Sequence, residues 1–255
     1  MTKADSTQKT VMVDGQVLSE EAAVALFKYF TPADRQLKAL ALLEREPFKN
    51  LLDIGCYSGQ FLNEVIKKRP EAKCIGVDSY EDNIRIAKLL HPERADDFLK
   101  MSAYSLDFPD ASFDVITMLE VIEHLDRPVD ALREINRALR PSGILVISTP
   151  NACSASNVFS SIVTGYRNFI NRILSRPQKI SDMIFFENVP WNRHVQEYHP
   201  AALATVLKVN GFEIIKHSFV ASGTKRKLLG TLCPGLSGGQ LALARKCLPP
   251  NNDLV

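Results

Sequence analysis

No apolar run approaches the roughly 18 residues that a membrane-spanning helix needs; stretches such as Ala22 to Phe27 are far shorter. Residues 1–10 are polar and lack the apolar core of a secretory signal. The five cysteines, at 56, 74, 153, 233 and 247, form no CxxC pair, and any pairing scheme leaves one over. A reduced, cytoplasmic setting is therefore expected rather than a disulfide framework. Charge of one sign is also scarce: 31 Lys and Arg stand against 29 Asp and Glu, a formal net of +2. That balance gives no support for binding nucleic acid or an anionic membrane by bulk electrostatics. Internal repeats and low-complexity tracts are missing as well, which excludes solenoid and propeller architectures.

What is present is a composition normal for a globular chain, 45% hydrophobic and 24% charged over 255 residues. Residues 1 to about 17 read as a frayed polar start. A helix is expected from Ser19, whose hydroxyl can cap it ahead of Glu20 and Glu21. A second is expected from Thr31-Pro32, with Pro at its first position, until Pro47 stops it. Strands follow at 49–54, 73–78, 98–101, 113–118 and 144–149, alternating with helices at 60–69, 80–90 and 128–139. This alternation predicts βαβ units and a parallel sheet covered on both faces. The regular pattern then breaks, and 151–197 is expected to form a lid or acceptor insertion. A helix at 200–210 and strands at 212–218 and 240–246 close the chain, the last two as an antiparallel pair at one sheet edge. The expected organisation is N-terminal helices over 1–47, a ligand-binding core over 48–150, the insertion over 151–197 and the rest of the core over 198–255.

The stretch Leu51-Leu52-Asp53-Ile54-Gly55-Cys56-Tyr57-Ser58-Gly59 reads as a buried strand, a glycine turn and a helix start. Such a turn can bring backbone N–H groups close to a ligand, beside the positive end of the helix. Asp78 ends the next strand, where a carboxylate can accept two hydrogen bonds from a ribose diol.

These pieces, LLDIGCYSGQF, CIGVD, FPDASFDVITMLEVIEHLDRP, LREINRALRPSGILVISTPN and the NGFEI strand, resemble a class I S-adenosylmethionine-dependent methyltransferase. The resemblance covers roughly residues 49–218. It implies an α/β, Rossmann-like, seven-stranded sheet in order 3-2-1-4-5-7-6 with only strand 7 antiparallel. It also implies S-adenosylmethionine as cofactor. Asp53, Gly55, Cys56 and Gly59 would then line the methionine moiety, Asp78 would hold the ribose, and Ser79 would sit beside the adenine. Ser102 and Ala103 would face the adenine ring, although the family often has Asp where Ser102 stands. Met118 and Leu119 would lie near the sulfonium.

For the chemistry, Glu120, Glu123 and His124 follow the fourth strand and are expected to project to one side of a helical turn. A second polar cluster, Arg193 to Tyr198, precedes the 200–210 helix. His124 and His194 are the candidate general bases for a hydroxyl acceptor, with Glu123 positioning or polarising. Glu120, Glu123, His124 and His194 also resemble the divalent-metal set of small-RNA 3′-terminal 2′-O-methyltransferases. The His194-x-x-Glu197-Tyr198 run also resembles many bacterial methyltransferases associated with sugars and lipids. Basic residues are dispersed apart from Lys225-Arg226-Lys227, and Arg167, Arg172, Arg176 and Lys179 suit a solvated helix face, so RNA is the weaker reading. Trp191, Tyr198, Phe185 and Phe186 are candidates for an apolar wall. The leading expectation is O-methylation of a small hydroxylated metabolite, of sugar or natural-product type. The alternatives are a metal-dependent RNA-end 2′-O-methyltransferase and a non-catalytic cofactor-binding protein.

Overall fold

In the computed structural model, residues 9–27, 31–154, 159, 195–220, 235 and 237–247 are described. Strands β3 (Asn50–Ile54), β4 (Lys73–Asp78), β5 (Phe98–Lys100), β6 (Phe113–Leu119), β7 (Leu139–Pro150), β8 (Phe212–Val220) and β9 (Gly239–Lys246) form one sheet. Its order is β5-β4-β3-β6-β7-β9-β8. The first five strands run parallel, and β9 is antiparallel to both β7 and β8. In order of appearance within this sheet that is 3-2-1-4-5-7-6, the topology expected from the resemblance.

Alternation along the central strands explains why they read as continuous apolar runs: both faces are buried. Leu52, Ile54, Ile116, Met118, Leu145 and Ile147 point to one face. There they meet α5 (Pro128–Ala138) and α6 (Pro200–Val209) through residues such as Leu132, Ile135, Leu203 and Leu207. Leu51, Val115, Ile144 and Val146 point to the other. That face is covered by α2 (Asp34–Leu43) and α3 (Gln60–Lys68), with Leu40, Leu43, Phe61 and Leu62 in the cluster. Helix α5 shows the local logic: Pro128 starts it, and Ala131, Leu132, Ile135 and Ala138 form its buried stripe.

The chain runs outward from β3 to β4 and β5, then returns to place β6 on the opposite side of β3. Strand order therefore reverses between β3 and β6, and the crevice outside their carboxyl ends is the natural ligand position.

Two expectations near the N-terminus need correction. Residues 10–19 are not frayed: β1 (Thr10–Val13) and β2 (Gln16–Ser19) pair antiparallel. Asp14-Gly15 turns between them with φ of 45° and 82°. Two consecutive positive φ values are what a two-residue hairpin of this kind demands, and Asp-Gly supplies them. Val11 and Val13 are buried with Ala23 of α1 (Glu20–Phe27) and Ile86 of α4 (Glu81–Leu90). Helix α2 begins at Asp34 rather than Pro32; Ala33 is its N-cap, and its amide donates to Gln36 Oε1 at 2.8 Å.

Apart from 151–154, 159 and 195–197, the expected lid lies outside the described residues, together with His194, Trp191, Phe185 and Phe186. So do Arg167, Arg172, Arg176, Lys179, Cys233 and the 225–227 basic run. The remaining cysteines, 56, 74, 153 and 247, are free thiols. Among the described residues no helix is long and apolar enough to cross a membrane.

Candidate active site

At the β3/β6 crevice a cavity of about 1040 Å³ opens, lined at its centre by Asp53, Gly55, Cys56, Asp78 and Glu120. That volume lies at the top of the roughly 300–1,000 Å³ range of small-molecule sites, so a cofactor and an acceptor fit together. Ser79, Ser102, Ala103, Leu119 and His124 also line it, whereas Gly59 sits behind the wall, facing Phe98 and His91. Met118 is fully buried, and half-buried Leu119 lines the cavity.

The glycine turn works differently from the expectation that its amides would reach a ligand. Gly55 N–H and Cys56 N–H both donate to Val77 carbonyl, at 2.8 and 3.0 Å. Gly59 N–H donates to Cys56 carbonyl at 2.8 Å, and Tyr57 N–H to Asp78 Oδ2 at 3.0 Å. Three of these donors tether the turn to β4 and its terminal acid and the fourth closes the turn on itself, so the turn offers no phosphate cradle. Carboxylates face the cavity instead. Asp78 is held rigidly, because its Oδ1 also accepts from Tyr80 N–H at 2.9 Å and Asn83 Nδ2 at 3.1 Å. Burial nevertheless raises the Asp78 carboxyl above its ordinary value. Asp53 accepts from Thr117 Oγ1 at 2.6 Å. Burial, and secondarily the charge of Asp78, push Asp53 up to about 7. The Cys56 thiol is driven well above its ordinary range by burial, then by Asp53 and Asp78, which keeps it protonated and unreactive.

Among the described residues, six acids line the cavity, Asp14, Asp53, Asp78, Glu81, Asp82 and Glu120, and Arg35 is the one Lys or Arg. Such a wall repels a pyrophosphate and favours a ligand carrying positive charge, with Arg35 left to meet a single carboxylate. S-adenosylmethionine has that distribution: a sulfonium, an ammonium, one carboxylate and a ribose diol.

Glu120, Glu123 and His124 do not share one helical face as expected. Glu120 has φ of 58°, which breaks any helix there, and only Ile122–His124 forms a 3-10 turn. A left-handed non-glycine residue is held only where its surroundings fix it. Here Glu120 N–H donates to Ser148 carbonyl at 3.1 Å, and Ser148 Oγ donates to Glu120 Oε1 at 2.8 Å. Glu123 turns inward and is 1% exposed. Neither of its carboxyl oxygens makes a hydrogen bond of good geometry, although Thr149 is close enough to favour the charged form against the larger effect of burial. Burial, then the Glu120 charge, push Glu123 up to about 8. His124 Nε2 lies 4.0 Å from Glu123 Oε1. The Glu123 carbonyl accepts from Val195 N–H at 2.7 Å and Gln196 N–H at 3.2 Å, which ties the end of the insertion to this turn. Among the described residues, no three His, Cys, Asp or Glu side chains meet in a group that could hold a metal ion.

A family profile described as a methyltransferase domain matches residues 28–217. The chain belongs to that family. A ubiquinone biosynthesis O-methyltransferase of Roseobacter denitrificans is 36% identical over 126 residues, 48% of this chain and 50% of that protein. The chain thus spans about half the length of the curated relatives it matches. Among solved structures, a SAM-dependent methyltransferase of Thermotoga maritima, possibly a histamine N-methyltransferase, has a TM-score of 0.57 and 19% identity. That match covers 88% of this chain and 90% of the other. The [4+2]-cyclase SpnF matches with a TM-score of 0.59 and 22% identity, over 84% of this chain and 82% of its own. Those likenesses confirm the class I Rossmann-like methyltransferase fold, and the cyclase shows that one fold carries more than one reaction.

Sequence reading missed Met12, Asp14, Gly15 and Arg35 as wall residues of this methyltransferase domain. The hairpin was announced by Asp-Gly between alternating apolar residues. Arg35 had no local signal, because only the packing of α2 brings it to the cavity.

Proposed function

We propose that the chain is an S-adenosylmethionine-dependent O-methyltransferase acting on a small hydroxylated acceptor. The observation that carries this reading is one cavity joining the Asp53–Asp78 wall to Glu120 and His124 at the carboxyl ends of β3, β4 and β6. Asp78, fixed by three protein donors, presents remaining lone pairs to the ribose diol. Asp53 faces the cofactor's ammonium and Arg35 its carboxylate. Ser102 and Ala103 stand at the adenine; Ser102 Oγ already accepts from Tyr104 N–H at 3.2 Å, so backbone groups share in reading the base. When bound, the cofactor supplies an electrophilic methyl for in-line displacement, whose main demand on the protein is alignment. His124, on the cavity wall, removes the acceptor proton as the bond forms, with Glu123 behind it. His194, the covalent neighbour of Val195, is the second candidate base.

A divalent cation held by Glu120, Glu123, His124 and His194 is the second reading, and it requires Glu120, Glu123 and His124, which do not converge in this arrangement, to turn toward one another. It is favoured by the orphaned oxygens of Glu123, which a cation would satisfy. That ion would bind the acceptor oxygen and lower its pKa.

Purified protein, cofactor and a panel of catechols, phenols and sugars, analysed by mass spectrometry, should yield a product heavier by one methylene. His124→Ala should lower kcat by about 100-fold with cofactor affinity retained. Chelation by EDTA separates the two readings: retained turnover supports direct proton removal by His124, and turnover lost and restored by added cation supports the metal. Cofactor binding without turnover of any acceptor would sink both and leave a binding protein.

Asp53 makes cofactor binding depend on pH. Its folded value is raised above the unfolded one, so its contribution to stability is present at low pH and is lost as pH rises through about 7. The cationic amine needs the ionised form, so binding expels a proton below pH 7. Affinity should rise by roughly 5- to 10-fold between pH 6 and 8. Calorimetry in two buffers of different ionisation enthalpy measures the proton release, and Asp53→Asn should abolish it.

A further inference from the structure

Tyr104 touches both halves of the site, and nothing in the proposed mechanism uses it. Tyr104 lines the cavity together with Ser102 and Ala103, which the proposed function places at the adenine. Its phenolic oxygen accepts from Asp126 N–H at 3.0 Å and from Arg127 N–H at 3.4 Å. The Arg127 guanidinium lies over the same ring, 4.7 Å from its centre, and is itself paired with Asp130 at 3.1 Å.

Between β6 and α5 the segment is anchored near its start, where Glu120 meets Ser148 and the Glu123 carbonyl accepts from Val195 N–H and Gln196 N–H; Tyr104 holds its other end. His124 N–H donates to Val121 carbonyl at 2.9 Å, and Leu125 N–H reaches Ile122 carbonyl only at 3.3 Å. Helix α5 has no side-chain cap: Arg127 is its N-cap residue and makes no capping hydrogen bond. A helix start without a side-chain cap leaves amides to be satisfied from elsewhere. Tyr104, distant in sequence, meets the amides of Asp126 and Arg127 with one oxygen.

We propose that Tyr104 is a positioning residue that couples cofactor recognition to the acceptor side: its ring walls the adenine end while its hydroxyl fixes the Asp126–Arg127 backbone and, through it, His124. The inference rests on the O-methyltransferase reading for its kinetic consequence, because alignment of His124 matters only if it serves the acceptor. Its structural content stands on the two amide contacts alone. Loss of the hydroxyl leaves the wall intact and frees the hinge two residues after His124. A displacement of about 1 Å at a reacting group can cost up to about 100-fold in rate.

Tyr104→Phe is the decisive variant, since it keeps the ring. Its kcat should fall by about 10-fold or more, while its Kd for S-adenosylhomocysteine should stay within about two-fold. Unchanged kcat would overturn the proposal, as would kcat and cofactor affinity falling in parallel, which is the mark of a wall residue only. A second readout needs no acceptor. In the S-adenosylhomocysteine complex, Tyr104→Phe should shift the His124 imidazole resonances, assigned with His124→Asn, and speed amide exchange at Asp126 and Arg127. If wild type methylates nothing, the O-methyltransferase reading fails by itself. These resonances then decide the coupling: movement supports it, and identical spectra reject it.

Discussion

Asp78→Ala should weaken binding of both S-adenosylmethionine and S-adenosylhomocysteine by at least about 100-fold. On the proposed reading, two charge-assisted hydrogen bonds to the ribose would be lost, each worth about 1.5–3 kcal/mol. The second loss is geometric. Asp78 is the acceptor for Tyr57 N–H in the glycine turn and for Tyr80 N–H and Asn83 at the start of α4. Without it the turn and the helix lose their common anchor. The fold should survive, because β4 remains paired on both sides and burial already disfavours the charged acid. Titration calorimetry beside thermal melting separates the two effects. Equal affinity in wild type and Asp78→Ala would remove the cofactor assignment at its centre.

Gly55→Ala should destabilise the protein by about 3 kcal/mol. Its φ is 74°, and a left-handed alanine costs about 1–2 kcal/mol. A Cβ there would stand 2.3 Å from Val121 Cγ2, so Val121 must move, and overpacking of this kind costs typically 1–3 kcal/mol. For a chain of this size that is a fall in Tm of about 6–12 °C. Val121→Ala in the same molecule removes the clash but not the strain, and should recover roughly half of the loss. Activity should fall further than stability, since Val121 lies between Glu120 and His124. If the single variant melts with wild type, the interlock of the two loops is absent.

That interlock shows where sequence reading ran out. Gly55 was legible as the glycine of a ligand-binding turn, and it does line the cavity. Its close neighbour, however, is Val121 from the next half of the sheet, and its amide is taken by Val77. The spacing of Glu120, Glu123 and His124 likewise suggested one helical face. The Ser148 contacts and the positive φ of Glu120 turned these three side chains in different directions. His194 fell in the stretch with the weakest pattern, where neither period 2 nor period 3.6 constrains the chain.

By itself the sequence determined the alternating strands and helices, the sheet order through its family resemblance, and the position of Asp53, Asp78 and His124 at strand ends. The elements follow from local periodicity and the strand-end placement from the rule that ligands gather where a parallel sheet reverses its order; the sheet order is what the resemblance implied. Only the tertiary structure decided that the turn's amides serve the protein rather than a ligand. It alone brought Asp14 of the hairpin and Arg35 of α2 to the cavity, and set Tyr104 between the cavity and the Asp126–Arg127 backbone. Contacts between residues far apart in sequence depend on how helices and loops pack over the sheet ends, and local periodicity carries no record of that packing.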